Sequence, residues 1–175
     1  MKMKLKYILL AIFLVVSVTA GAVIAKNDPV DSIREEEDEQ LQISAAEFIQ
    51  ASVVYYSVHG GLPWFPVSEN GVDCFGHKSG VPSVQMPALE ECIKILIYES
   101  ELRPDYLTDS LTQKLVITNP NPQTGDKADT VVCFQPQSNA WKRDLHARFN
   151  KNGTESIDNR CISQGGRESC YWCTQ

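Results

Sequence analysis

The most apolar stretch of the chain lies at its N-terminus. Lys2, Lys4 and Lys6 precede an uncharged run from Tyr7 to Ala25. As a helix, this run would span about 28 Å, close to the hydrocarbon thickness of a bilayer. The lysines in front of it favour an N-terminus in the cytoplasm. Small residues near its end also suit a signal peptidase. Residues 1–25 are therefore predicted to be a membrane anchor or a cleaved signal segment, and the length of the run favours the anchor.

A polar stretch and then a helical pattern follow this segment. Residues 26–40 include five consecutive acids at 35–39 and are interpreted as an acidic spacer or a helix extension. From Leu41, apolar residues recur at three- and four-residue steps until Gly60 and Gly61, which predicts a helix over 41–59. The pattern is also compatible with a helix that runs back through the acids and into the apolar segment. Pro29 would then either open the helix or kink it.

The second half of the chain alternates between loops and short regular elements. Residues 60–87 are rich in Gly and Pro and predict a long loop, from which Trp64 and Phe65 pack on the core. Apolar residues share one face of a second helix predicted over 88–102. Strands are predicted over 114–118 and 129–134, with a third over 145–149 and a polar tail from Glu155.

These elements predict an α+β fold. The N-terminal apolar helix would continue into a long amphipathic helix packed on a small antiparallel sheet, with residues 41–175 forming one domain outside the cytoplasm. The residues expected to be buried together are Leu41, Phe48, Leu89, Ile93, Leu96, Ile97, Val116, Val132 and Phe134.

Charge and cysteine content narrow the possible functions. The net charge of −6 disfavours binding to nucleic acid. An even number of cysteines behind an export segment predicts structural disulfides. The candidates are Cys74, Cys92, Cys133, Cys161, Cys170 and Cys173. We expect a Cys74–Cys92 bridge, with Cys133 and Cys161 bonded to Cys170 and Cys173 in an order that the sequence leaves open.

Residues of catalytic type are scattered along the chain. The sequence Cys170-Tyr-Trp-Cys173 matches a redox or zinc half-motif, but no helix or second half follows, which favours structural disulfides. Asp144 and His146 lie two residues apart without a nucleophile, which indicates a surface pair. Asp126 and Asp129 lack the spacing of a calcium loop. We therefore expect no catalytic, cofactor-binding or metal-binding residues and a protein that is not an enzyme.

One arrangement resembles a known family. A basic N-terminus leads into an apolar segment and then a helix that ends in Tyr55-Tyr56-x-x-x-Gly60-Gly61-x-Pro63, followed by a few strands and late cysteines. This is similar to type IV pilins and to the pseudopilins of type II secretion. The resemblance implies a structural or accessory subunit of a surface pilus or secretion assembly.

Two features of that family are absent. The stretch Lys6-Tyr7-Ile8-Leu9-Leu10-Ala11 has no Gly for a prepilin peptidase, and the apolar run has no Glu. These departures leave a second hypothesis open: a secreted or membrane-tethered receptor or adhesin on a pilin-like scaffold. The expected partners are other pilin-like subunits or an extracellular protein, with membrane contact through residues 7–25.

Overall fold

The computed structural model describes residues 28–64, 74, 83–99, 102–118, 130–144, 146–155 and 170–174. Some of the predictions fall outside these ranges: the apolar segment at 7–25, Phe65, Asp126, Asp129, Leu145 and Cys161. The α-helices are α1 (Pro29–His59), α2 (Glu90–Glu99) and α3 (Asn139–Lys142), and the 3-10 turns are Met86–Leu89 and Thr112–Lys114. The strands are β1 (Val84–Gln85), β2 (Val116–Thr118), β3 (Val131–Phe134) and β4 (Trp172–Cys173).

Helix α1 begins twelve residues earlier than its core pattern predicts, at Pro29 rather than Leu41. The side chain of Asp28 caps it by accepting a hydrogen bond of 3.0 Å from the backbone N–H of Val30. Pro29 occupies the first turn, where its missing N–H costs nothing. The acidic stretch is therefore part of the helix. Because the backbone of Asp28 is extended, the predicted unbroken helix from the apolar segment is wrong at this residue.

Helix α1 ends where the sequence indicates. Gly60 has φ +69°, a left-handed conformation that favours glycine, and its N–H donates to the carbonyl of Tyr56 at 2.8 Å. Trp64, just beyond, is buried as expected. No helix in the described ranges is long and apolar enough to cross a bilayer.

The four strands form one antiparallel sheet in the order β1-β2-β3-β4. Strand β2 is shorter than predicted because Lys114 lies in a 3-10 turn. The predicted third strand over 145–149 is wrong, since Phe149 makes only isolated bridges to Glu155 and Tyr171. The strand next to β3 comes instead from Trp172 and Cys173, in the polar tail for which no strand was predicted.

The main core lies between α1, α2 and one face of the sheet. Seven of the residues expected in it are buried there: Leu41, Phe48, Leu89, Ile93, Leu96, Val132 and Phe134. Ile97 packs against this core but is partly exposed. Val116 is buried in a separate cluster on the other face, with Cys133, Phe149 and Cys173. Ile117 occupies the position in the main core that was expected for Val116, because successive strand residues point to opposite faces of the sheet.

Candidate interaction surface

The cysteines that the structure describes are disulfide-bonded. Cys74 and Cys92 form the expected disulfide, with 5.2 Å between their Cα atoms, and it ties the loop to α2. Cys133 and Cys173 face each other on β3 and β4 and are also bonded. Cys170 is disulfide-bonded too. Because Cys173 is bonded to Cys133, the sequence Cys170-Tyr-Trp-Cys173 does not form an internal redox pair.

The described histidines lie on the surface. His146 Nδ1 lies 2.8 Å from Asp144 Oδ1, and the two side chains are 55 % and 41 % exposed, as expected for a surface pair. His59 stacks on Tyr55, with ring centroids 4.1 Å apart, and its Nε2 lies 2.8 Å from Glu99 Oε2. Within the described ranges, no three His, Cys, Asp or Glu residues group as metal ligands.

One acid in the acidic stretch is not solvated. Asp38 is 0 % exposed. Its carboxylate accepts hydrogen bonds from the backbone N–H of Gln137, at 3.0 and 3.1 Å, and of Ser138, at 2.8 Å. The carboxylate thus ties α1 to the loop that immediately precedes α3. Its position was readable from the sequence, because Asp38 lies three residues before Leu41 and seven before Ala45, on the core side.

A second polar cluster ties helix α1 to the loop that follows α2. Arg103 Nη2 lies 2.6 Å from Asp109 Oδ2, and its Nε lies 3.3 Å from Glu47 Oε2. Burial alone would lower the pKa of Arg103, but the hydrogen bond to Asp109 and the neighbouring carboxylates raise it. The buried hydroxyl of Tyr106 donates to the carbonyl of Ser44 at 2.8 Å. Burial, reinforced by Glu47, raises the pKa of Tyr106 well above its usual value.

The face of α1 turned away from the core has an unusual composition. Between Gln40 and Val58 the helix has a single charged side chain, Glu47, which is engaged by Arg103. The exposed residues opposite the core form what we term the outward stripe: Ile43, Ala46, Gln50, Val53 and Ser57. Solvated helix faces are normally rich in charge. A stripe of apolar, small and neutral polar residues is instead typical of a helix that packs against a partner.

Large apolar side chains are also exposed beyond the stripe. Val30 and Ile33 lie in the first turns of α1, 51 % and 61 % exposed. At the other end, Val58 is 72 % exposed and Tyr98, on α2, is 88 % exposed. The apolar pattern that predicts α1 follows only the residues that point to the core, so it gives no indication of the outward stripe or of these exposed residues.

Comparisons with known proteins add no identity: no family model, curated protein or solved structure matches this chain.

Proposed function

We propose that this protein is a non-enzymatic, pilin-like structural or accessory component of a surface pilus or secretion assembly. Residues 7–25 would hold it in the membrane, with the domain outside the cytoplasm. The observation that carries the proposal is the outward stripe of α1. A long helix that is covered by its own sheet on one side, and that carries no charge on the opposite side between residues 43 and 57, is suited to packing between its domain and a neighbouring subunit.

The disulfides support a location of the domain outside the cytoplasm. Two bridges join described cysteines, Cys74 to Cys92 and Cys133 to Cys173, and such bonds persist in oxidising compartments outside the cytoplasm. The acidic N-terminal half of α1 supports it as well. Exposed Glu35, Glu36 and Glu39 favour water over an anionic lipid surface, so the domain would stand clear of the membrane.

An accessory role fits better than that of a main filament subunit. Helices inside a membrane associate through close packing and polar contacts rather than through the hydrophobic effect. The segment from Tyr7 to Ala25 offers small residues but no charge to set its register against copies of itself. We therefore expect weak association through that segment and small numbers of this chain in any assembly.

The test is to shear and fractionate the surface of cells that express the native protein, with electron microscopy of the sheared material. We expect the chain as a minor component of an assembly. Abundant filaments made mainly of this chain would contradict the accessory role, and a purely monomeric protein would contradict assembly altogether.

Sequencing the mature N-terminus shows how the N-terminal segment is processed. A start at Tyr7 indicates prepilin-type processing, a start near Val23 or Lys26 indicates ordinary secretion, and an intact N-terminus indicates an anchor.

A second candidate function is a receptor or adhesin on the same scaffold. The observation that favours it is the nearly complete exposure of Tyr98, which is large, amphipathic and next to Glu99 of the His59–Glu99 pair. Exposed aromatic residues of this kind often anchor protein partners. Loss of a saturable extracellular ligand on Tyr98→Ala, with assembly unchanged, would support this candidate.

A further inference from the structure

A surface turn near the end of the chain carries a sequence that the proposed function does not use. Asn152, Gly153 and Thr154 form the only Asn-x-Ser/Thr sequence in the chain. This pattern is the acceptor for N-linked glycans in exported proteins, provided that the middle residue is not proline. The three residues lie in a turn between Phe149 and Glu155, which face each other in an antiparallel bridge.

Local hydrogen bonds build this turn. The backbone N–H of Asn150 donates to the carbonyl of Thr154 at 2.8 Å, and that of Gly153 donates to the carbonyl of Asn150 at 2.9 Å. Gly153 has φ +75°, a left-handed conformation that favours glycine. Because these partners lie within four residues of one another, the local sequence favours the turn even before the rest of the domain folds.

The hydrogen bonds to Thr154 orient the carboxamide of Asn152. Its Oδ1 accepts from the backbone N–H of Thr154 at 3.2 Å and from the hydroxyl of the same residue at 2.6 Å. Such an Asx turn holds the side-chain oxygen on the inner side of the turn. The NH2 group lies on the other side of the planar carboxamide, so it points away from the turn, and Asn152 is exposed. Gly153 has no side chain to obstruct its approach to an enzyme.

The geometry points to Asn152 as an N-glycosylation site, and this inference rests on the proposed location of the domain outside the cytoplasm. The substrate is a glycan carried on a lipid diphosphate, and the catalyst is a separate transferase. The amide nitrogen of Asn152 forms a bond to the anomeric carbon of the first sugar. The bond from that carbon to the diphosphate oxygen breaks, so the lipid diphosphate leaves. A base of the transferase takes one proton from the amide nitrogen.

A glycan at this position leaves the outward stripe of α1 uncovered. The hydroxyl of Thr118, at the end of β2, donates to the carbonyl of Asn152 at 3.0 Å. Phe149 is buried in the cluster on the sheet face turned away from α1. A glycan on Asn152 would therefore extend from the side of the domain opposite to the stripe. It would add a bulky, hydrated cover there without blocking a contact through α1.

The test is mass spectrometry of peptides that contain Asn152, prepared from the native protein of cells that produce it. We expect a glycan on Asn152 in most copies. Asn152→Asp is the matched control, because its carboxylate can still accept from Thr154 but has no amide nitrogen. This variant should be exported and folded as before, without the glycan. An unmodified Asn152 in the exported protein, or Asn152 found only as Asp, would overturn the inference.

Two variants of Thr154 test the hydroxyl. Thr154→Ala removes it, and the glycosylated fraction should fall by about tenfold, whereas Thr154→Ser keeps the hydroxyl and should keep the glycan. The Cys133–Cys173 disulfide, measured in the same samples, shows whether each variant has folded. An unchanged glycosylated fraction in folded Thr154→Ala would overturn the assignment of the acceptor sequence.

A shifted acceptor tests the role of the turn. Asn152→Thr removes the proposed site and creates an Asn-x-Thr sequence at Asn150. The amide nitrogen of Asn150 faces into the turn, 3.4 Å from the hydroxyl oxygen of Thr154. We therefore expect Asn150 to be glycosylated about tenfold less than Asn152 in the native chain. Comparable fractions would show that the sequence alone selects the site and would overturn the role of the turn.

The glycan and the assembly can fail independently in these experiments. An assembled protein with an unmodified Asn152 would refute the glycan and leave the proposed function standing. A protein that carries the glycan but is purely monomeric would do the reverse.

Discussion

At the residue scale, the least expected feature is a carboxylate with a structural role inside an acidic run. Five neighbouring acids look alike in the sequence, and only the phase of the helix distinguishes them. Leu41 and Ala45 set that phase, and it turns Asp38 inward while Glu36 and Glu39 stay in water. The sequence does not indicate in the same way which of Val116 and Ile117 points to the main core. Both are apolar and both are buried, so alternation gives no indication of which one faces α1.

The role of Asp38 predicts a large loss of stability on truncation. Asp38→Ala leaves the backbone N–H groups of Gln137 and Ser138 without their acceptor, and we expect the free energy of unfolding to fall by about 3 kcal/mol. Glu36→Ala, in the same run but exposed, is the control and should change it by less than about 0.5 kcal/mol. Denaturant unfolding of the purified protein measures both. Similar values for the two variants would show that the contact contributes nothing.

The buried phenol of Tyr106 predicts an alkaline limit to stability. Its pKa is raised in the folded protein, so between the ordinary value of about 10 and the folded value the unfolded chain releases its proton first. Stability is therefore intact below about pH 10 and falls as the pH rises further. Tyr106→Phe should lose about 1 kcal/mol at neutral pH, for the hydrogen bond to Ser44, but decline less steeply above pH 10. Tyr98→Phe, at an exposed position, is the control and should keep the steep decline of stability with pH. Unfolding curves measured from pH 8 to above 10 test both variants. The same steep decline in Tyr106→Phe would contradict the assignment to Tyr106.

At the scale of elements, the two longer helices and strands β2 and β3 were predictable, and the two-residue strands were not. The ends of α1 follow from local chemistry, since Asp28 and Pro29 can start a helix and Gly60 can stop one. The start at Leu41 followed the core pattern alone, and the helix follows the other possibility that the sequence left open, an extension back through the acidic residues. Strands β1 and β4 have two residues each, too few for any periodicity. Strand β4 exists because β3 pairs with it and a disulfide holds it, and neither is visible in its own sequence.

The packing of α1 predicts the cost of removing its central aromatic side chain. Phe48 is 0 % exposed and stacks between Trp64, at 5.6 Å, and Tyr106, at 6.1 Å between ring centroids. Phe48→Ala should lower the free energy of unfolding by about 3–5 kcal/mol. Val53→Ala, on the exposed side of the same helix, should have little effect on the monomer. A change below 1 kcal/mol in Phe48→Ala would contradict the assigned core face.

At the scale of the whole molecule, the C-terminus completes the sheet and a crosslink keeps it in place. Strand β4 contributes two residue pairs to β3. Two further hydrogen bonds of 2.9 Å join Thr174 to Val132: the N–H of Thr174 donates to the carbonyl of Val132, and the N–H of Val132 donates to the hydroxyl oxygen of Thr174. So few contacts barely offset the conformational entropy of ordering the last residues. The Cys133–Cys173 bond closes a sequence separation of 40 and should be worth about 4 kcal/mol on the chain-entropy estimate.

The two bridges therefore protect different parts of the molecule, and hydrogen exchange can distinguish them. In the double variant Cys133→Ala/Cys173→Ala, the amides of residues 171–174 should lose their protection while those of α1 and α2 keep most of theirs. In Cys74→Ala/Cys92→Ala, the matched control, β4 should stay protected, because that bridge, at a separation of 18 and worth about 3 kcal/mol, ties only the loop to α2. Loss of protection throughout the domain in the first variant would mean that β4 is needed by the main core rather than added to its edge. In that case the main core would depend on the packing of Trp172 against Phe134, whose ring centroids are 5.2 Å apart. Trp172→Ala with both disulfides intact would then also lose protection throughout the domain.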